Sequence, residues 1–120
     1  MLSFFAYGLA IVLNGFIIFI GARFLLAPEP AATGYGVPAR PNAYLSVKGV
    51  RDLSYGLIGL ALLAFAGASA AAWFMLVVAL VPLGDTLIVL RNGGTKATAF
   101  GIHFATAVAV LLSAALLFAL

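Results

Sequence analysis

Two long apolar runs, one at each end of the chain, most constrain what this sequence can fold into. Residues 2–22 and 97–120 are interrupted only by a few small or weakly polar side chains and one histidine. Each run matches the roughly 20 residues that a helix needs to cross a bilayer. The chain is 66% hydrophobic and 8% charged, whereas about a quarter of a soluble domain is charged. The sequence therefore predicts an integral membrane protein.

The remaining sequence holds two further apolar segments, which gives four predicted spans. The alternation of polar and apolar residues that marks membrane strands is absent. Helices satisfy every backbone hydrogen bond internally, as lipid requires. We therefore predict an all-α integral membrane four-helix bundle in a single domain, residues 1–120. The predicted spans are about 2–24, 44–65, 70–90 and 97–119.

The connection at residues 27–42 is the longest and contains four of the five prolines. Proline fixes φ and removes a backbone donor, so this segment cannot be helical throughout. Loops of this length are either linkers or functional lids. Both alternatives stay open, and in the second Tyr35, which lies between two glycines, would cap a site.

The basic residues predict the orientation of the bundle. With four spans, all of them fall on the side of the first and third connections; they are Arg23, Arg40, Lys48, Arg51, Arg91 and Lys96. Positively charged connections stay in the cytoplasm. We therefore expect a multi-pass cell-membrane protein with both termini on the non-cytoplasmic side and a cytoplasmic loop at 27–42. Since topology accounts for the net charge of +3, nucleic acid is not an expected partner.

Polar side chains from all four spans are predicted to converge in the cytoplasmic half of the bundle. Ionisable groups at this depth are costly and are kept when they are paired or functional. In the first alternative, Arg51 neutralises Asp52 or Asp85 in a structural ion-pair network. In the second, the same groups form a site. The candidate catalytic residues are Asp85, His103 and Asp52, and the candidate ligand-binding residues are Arg51, Asn14, Tyr55 and Lys48.

Such a site is suited to a lipid-soluble small molecule, such as a quinone, an isoprenoid or a fatty derivative. A carboxylate and an imidazole would move protons, and a cation would fix the polar head. The pattern leaves open whether the protein is an enzyme. It also leaves two alternatives, a proton-coupled transporter or channel and a structural subunit of a membrane complex.

Several other functions are not expected. The chain has no cysteine, which excludes thiol redox chemistry and thiolate metal sites. The spacing of Asp52, Asp85 and His103 has no metal-ligand signature, and no cofactor motif is present. We therefore predict neither a bound metal nor a cofactor.

Gly49, Gly56 and Gly59 share one face of the second span with Asp52. This glycine face predicts close helix packing, within one chain or in a homo-oligomer.

The runs KGVRDLSYGL (residues 48–57) and LVPLGDTLIVL (residues 80–90), with a single His early in the last span, carry a family resemblance. The chain resembles a family of small four-helix membrane proteins described as a domain of unknown function, which is similar in shape to the DoxX-like membrane proteins. This resemblance implies the four-span fold and a joint role for Arg51, Asp52, Asp85 and His103. DoxX-like proteins are linked to membrane redox partners and quinone chemistry.

Overall fold

The computed structural model describes residues 1–38 and 43–120, and every regular element in these ranges is a helix. Four of them are long and apolar enough to cross a membrane, which confirms the predicted helical class. They are α1 (Leu2–Leu26), α3 (Ala43–Ala66), α4 (Ala68–Arg91) and α5 (Lys96–Phe118). A short helix, α2 (Pro28–Tyr35), lies in the first connection. Arg40 and the end of the predicted loop, residues 39–42, lie outside the described residues.

Helices α1 and α3 approach each other closely along a row of glycines. A Cβ atom added to Gly21 would lie 2.7 Å from the carbonyl oxygen of Gly49, and one added to Gly56 would lie 2.5 Å from that of Asn14. Any side chain at these positions would force the two backbones apart. The glycine face that the sequence predicts is therefore occupied within the chain by α1.

Three of the long helices depart from regular α geometry at one point each. Helix α4 consists of Ala68–Val78 and Leu80–Arg91, because Pro82 lacks the N–H that would bond the carbonyl of residue 78. Helix α3 ends in a π-helical turn, Leu62–Ala66, and α5 contains another at Ala99–Phe104. A π turn inserts an extra residue and changes which side chains face a neighbouring helix.

The two halves of the bundle are packed differently. The terminal half, which contains both chain ends and the turn at Gly67, has a core of small residues. This core comprises Ala6, Ala10, Ala71, Ala72, Met75, Ala79, Val110, Ala114 and Leu117. Alanine lets helices come close, so a few larger side chains such as Met75 and Leu117 are enough to fill this core.

The other half, which we call the lid half, is covered by α2. This helix begins with Pro28 and ends with Tyr35. Gly36 caps its end with a φ of 90°, a left-handed conformation that favours glycine. Its Ala31 and Ala32 pack with Phe24 and Leu45 in a second buried cluster. The described part of the first connection, residues 27–38, is therefore folded over the bundle as a lid.

Candidate functional site

A cavity of about 240 Å³ lies in the lid half, between α1, α4 and α5 and beneath α2. Its walls are mostly aliphatic and aromatic, and its polar groups lie mainly at the end near the lid. The polar lining residues are Asn14, Arg23, Tyr35, Tyr55, Asp85, His103 and Thr106. A concave, largely apolar pocket with a few converging polar groups is the usual form of a small-molecule site.

Tyr35, the last residue of the lid helix, joins two long helices. Its hydroxyl donates a hydrogen bond to Oδ2 of Asp85 on α4. Its backbone carbonyl oxygen lies 2.7 Å from Nε2 of His103 on α5. A carbonyl oxygen can only accept, so Nε2 of His103 carries a proton and donates it. The Tyr35 and His103 rings are also in contact, with centroids 4.2 Å apart and planes tilted by 55°.

Local backbone irregularities help to place the two ionisable partners of Tyr35. His103 lies in the π-helical turn Ala99–Phe104, which turns it inward, and it is 3% exposed. Such turns occur frequently at functional sites. Asp85 lies three residues after Pro82, in the segment of α4 that follows the helix break, and it is half-buried.

A second ionic group anchors the lid from α3. Nζ of Lys48 lies 2.9 Å from Oδ2 of Asp52, and Asp52 is buried. The same ammonium group lies 4.1 Å from the centre of the Tyr35 ring and 5.0 Å from that of Phe24. A cation so close to an aromatic face is attracted by the ring quadrupole. Tyr35 is thus held by contacts with α1, α3, α4 and α5.

The ion pair corrects one expectation from the sequence. Arg51 was expected to neutralise Asp52 or Asp85, but Lys48 is the partner of Asp52. Lys48 lies one helical turn before Asp52, where its side chain can reach the carboxylate. Arg51 lies about 100° around the helix from its neighbour Asp52 and is exposed. It lines a separate shallow groove with Lys48, Asp52 and Tyr55, and not the cavity.

The surroundings of Tyr35 keep its phenol neutral. Burial raises the pKa of the Tyr35 hydroxyl above its ordinary value, and the negative charge and hydrogen bond of Asp85 raise it further. A phenolate would be both poorly solvated and next to a carboxylate. The hydroxyl therefore keeps its proton and remains a donor to Asp85.

Arg23 is a cavity residue that the sequence analysis assigned only to topology. It lies in the last turn of α1, is half-buried and lines the cavity beside Phe24. The helical spacing of the wall residues Phe16, Ile20 and Arg23 places them on one face, which is the signal that could have identified Arg23. Within residues 1–38 and 43–120 the Lys48–Asp52 contact is the one ion pair, so Arg23 has no carboxylate partner there.

The far end of the cavity rests on the core of the terminal half. Asn14 donates from Nδ2 to the carbonyl oxygen of Ala10 at 2.8 Å and contacts Sδ of Met75 at 3.7 Å. Met75 and Val110 belong both to the cavity wall and to the alanine-rich core. The cavity therefore has a polar end at the lid and a closed, nearly apolar end at mid-bundle.

The side of the cavity faces the bilayer. Phe16 of α1 and Ile102 of α5 both line it, and they are 46% and 44% exposed. Their outer surfaces lie where lipid chains would contact the bundle. At these two positions, a single side chain therefore contacts both the cavity and the outside of the bundle.

The structure therefore separates the sequence-predicted residues into three groups. Asp85, His103, Asn14 and Tyr55 line the cavity. Lys48 and Asp52 support its lid through Tyr35, and Arg51 lies outside it. In the described residues, no three His, Asp or Glu side chains are arranged to hold a metal ion.

Comparison with known proteins connects this arrangement to one family. The sequence model of the family described as domain of unknown function DUF4267 matches residues 14–117. That range contains α3, α4, the lid and every ionisable residue of the cavity. No curated protein and no solved structure matches the chain. Since the family match covers most of its 120 residues, the chain belongs to the DUF4267 family.

Proposed function

We propose that the protein binds a lipid-soluble small molecule in the cavity of the lid half, with the polar head of the ligand beneath the lid. The observation that carries this proposal is the cavity itself, which is walled by apolar side chains and has Arg23, Asp85 and His103 at its lid end. A molecule with one polar end and an apolar body matches that division.

The polarity of the cavity sets the direction in which the ligand lies. Ile17, Phe74 and Val78 line the apolar walls, while the free oxygen of Asp85 and the donors of Arg23 lie near the lid. Apolar burial would supply most of the affinity, at roughly 25 cal/mol for each Å² removed from water. The polar groups would fix orientation and select the head group.

The same residues can move protons at the head group. Asp85 uses one carboxylate oxygen to accept from Tyr35, which leaves the other oxygen for the ligand. His103 is anchored through Nε2 and lines the cavity. A carboxylate and an imidazole at one head group are the components of general acid–base chemistry. Asp52 is engaged with Lys48 and would act by holding the lid.

A binding site with polar groups at only one end of the bundle is favoured over a transport path through it. A transporter needs polar access from both faces of the membrane. The terminal half is closed by alanines, Met75 and Leu117, and the described ionisable side chains of the cavity all lie towards the lid. The resemblance to DoxX-like proteins, with its implied quinone chemistry, remains a hypothesis that the family match does not address.

The proposed orientation places the lid in the cytoplasm and both termini outside, since the described basic side chains lie at the lid end. Native cysteines are absent, so single-cysteine variants of exposed residues report the topology directly. Thr33→Cys should react with an impermeant maleimide only from the cytoplasmic side, and Ser69→Cys only from the outside. The reverse labelling pattern would invert the proposed orientation.

Ligand binding is tested by native mass spectrometry of protein extracted gently from membranes. Val78 lines the cavity, whereas its neighbour Val77 is 61% exposed to the membrane side. Val78→Phe should fill the cavity and remove a species that co-purifies with the wild type, while Val77→Phe should retain it. Asp85→Asn should weaken retention without filling the cavity. Equal amounts of the same species on all four proteins would contradict the proposal.

A further inference from the structure

The fixed charges of the cavity sum to zero. Its ionisable lining residues are Arg23, Asp85, His103, Tyr35 and Tyr55. The formal charge count at pH 7 assigns no charge to tyrosine or histidine side chains. Arg23 contributes one positive charge and Asp85 one negative charge, and they do not form an ion pair with each other within the described residues. Each charge is therefore available to a head group.

Among residues 1–38 and 43–120, the nearby charges outside the cavity do not alter this balance. Lys48 and Asp52 form a pair of opposite charges behind Tyr35. Arg51, Arg91 and Lys96 are exposed, where solvent and lipid head groups screen them. The charges that a bound molecule meets directly are thus those of Arg23 and Asp85.

The two charged groups also have complementary hydrogen-bonding capacities. A guanidinium group has only donors, and an ionised carboxylate has only acceptors. Since Oδ2 of Asp85 accepts from Tyr35, its other oxygen is left to accept from a ligand. A head group between Arg23 and Asp85 must therefore offer an acceptor to the first and a donor to the second. A hydroxyl group offers both.

We propose that the ligand is an uncharged amphiphile whose head carries a hydroxyl group, which accepts from Arg23 and donates to Asp85. This inference rests on the proposed function and specifies its ligand class. A carboxylate head would satisfy Arg23 but would place a second negative charge beside Asp85. An ammonium head would satisfy Asp85 but repel Arg23. Either ion would give a poorly solvated cavity an uncompensated charge.

The test compares three compounds with the same chain: decan-1-ol, decanoic acid and decylamine. At about pH 8, the acid is ionised and the amine protonated. The measurement is the rise in the Tm of the full-length protein in a neutral detergent, because a ligand of the native state stabilises it. The rise in Tm that a compound causes in Val78→Phe reflects its effects on the detergent. Subtracting this rise from the wild-type rise leaves the part that is due to binding in the cavity. We expect decan-1-ol to bind about tenfold more tightly than either ion.

Charge-removing variants should reverse the preference in opposite directions. Asp85→Asn leaves Arg23 unopposed, so decanoic acid should become the best ligand. Arg23→Gln leaves Asp85 unopposed, so decylamine should become the best ligand. Arg51→Gln removes a cation outside the cavity and should leave the wild-type order unchanged. If Arg23→Gln does not fold, the wild-type order and Asp85→Asn still decide the question.

Failure of this inference is distinguishable from failure of the proposed function. If decanoic acid or decylamine binds the wild type best, and Val78→Phe abolishes that binding, the cavity is a binding site but its ligand is charged. If none of the three compounds raises the Tm of the wild type above that of Val78→Phe, both the inference and the proposed function are overturned.

Discussion

The terminal half and the lid half of this bundle are built from the same four helices, yet their interiors differ. The terminal half has an alanine-rich core completed by Met75, Val110 and Leu117, in which Ala72 is fully buried and Ala114 is 2% exposed. The lid half places larger side chains around a cavity of about 240 Å³, which the short lid helix α2 covers. Helices of similar apolar composition thus form an alanine-rich core at one end and surround a cavity at the other.

The comparison shows that the buried ionisable side chains and the cavity occur in the same half of this protein. The buried ionisable residues Asp52 and His103 both lie in the lid half, and each has a partner there. The buried polar residue of the terminal half, Ser113, is small and has no hydrogen-bond partner in the described chain. Buried charge is tolerated where partners are supplied, and it is expensive elsewhere.

The largest expected effect comes from overpacking the terminal half. Ala114 is 2% exposed and its neighbour Ala115 faces the membrane. Ala114→Leu should lower the free energy of unfolding by about 1–3 kcal/mol, because the added atoms have no space. Ala115→Leu should leave it nearly unchanged. Thermal melting in detergent measures both, and equal Tm values would contradict the tight core described for this half.

An effect of similar size, but confined to the lid rather than to the whole fold, is expected from loosening the lid. Ala32 lies on the buried face of the lid helix α2, and its neighbour Thr33 is exposed. A cysteine at position 32 therefore reports opening of the lid, and a cysteine at position 33 gives the reference labelling rate. Tyr35→Phe removes the hydrogen bond to Asp85, and bonds to charged groups contribute about 1.5–3 kcal/mol. Labelling of Ala32→Cys should therefore accelerate about tenfold or more, relative to Thr33→Cys. Unchanged relative labelling would show that this bond does not hold the lid.

Alkaline pH should open the lid through the same hydroxyl. The pKa of Tyr35 is raised in the closed lid above its ordinary value of 10.0. A raised pKa means that the closed state holds its proton more tightly, so stability is complete below about pH 10 and falls as the pH rises above that value. Relative labelling of Ala32→Cys should rise above about pH 10 in the wild-type background. If Tyr35→Phe shows the same rise, another group is responsible.

The smallest effect on stability is expected from filling the cavity. Val78→Phe adds atoms where the lid half has room, so the free energy of unfolding should change by less than about 1 kcal/mol. The melting temperature of this variant, set beside that of Ala114→Leu, compares the two halves directly. A loss as large as that of Ala114→Leu would mean that the cavity has no space for a ligand.

The sequence predicted the parts of the fold that depend on hydrophobicity and small residues. Long apolar runs are sufficient to identify the four long helices. The spacing of Gly49, Gly56 and Gly59 predicted a close helix contact, although only the structure shows that α1 occupies it. Such patterns act locally or along one helix face, which is why they can be read from a single sequence.

The site was harder to predict because its contacts depend on backbone irregularities and on a connection. Proline content indicated that the first connection is not wholly helical, but it could not show that Tyr35 bonds both Asp85 and His103. The ion-pair alternative drawn from the sequence named Arg51 as the partner of Asp52, but side-chain direction on α3 selects Lys48. Arg23 was assigned to topology because a cation at a span end fits that role equally well.

An experimental structure of the protein extracted with its native lipids is the most direct test of the central claim. The account predicts non-protein density between α1, α4 and α5, with its apolar part beside Phe74 and Val78 and its head within hydrogen-bond reach of Asp85. A lid half in which side chains close the space, or in which the cavity holds only water while lipids surround the bundle, would contradict it.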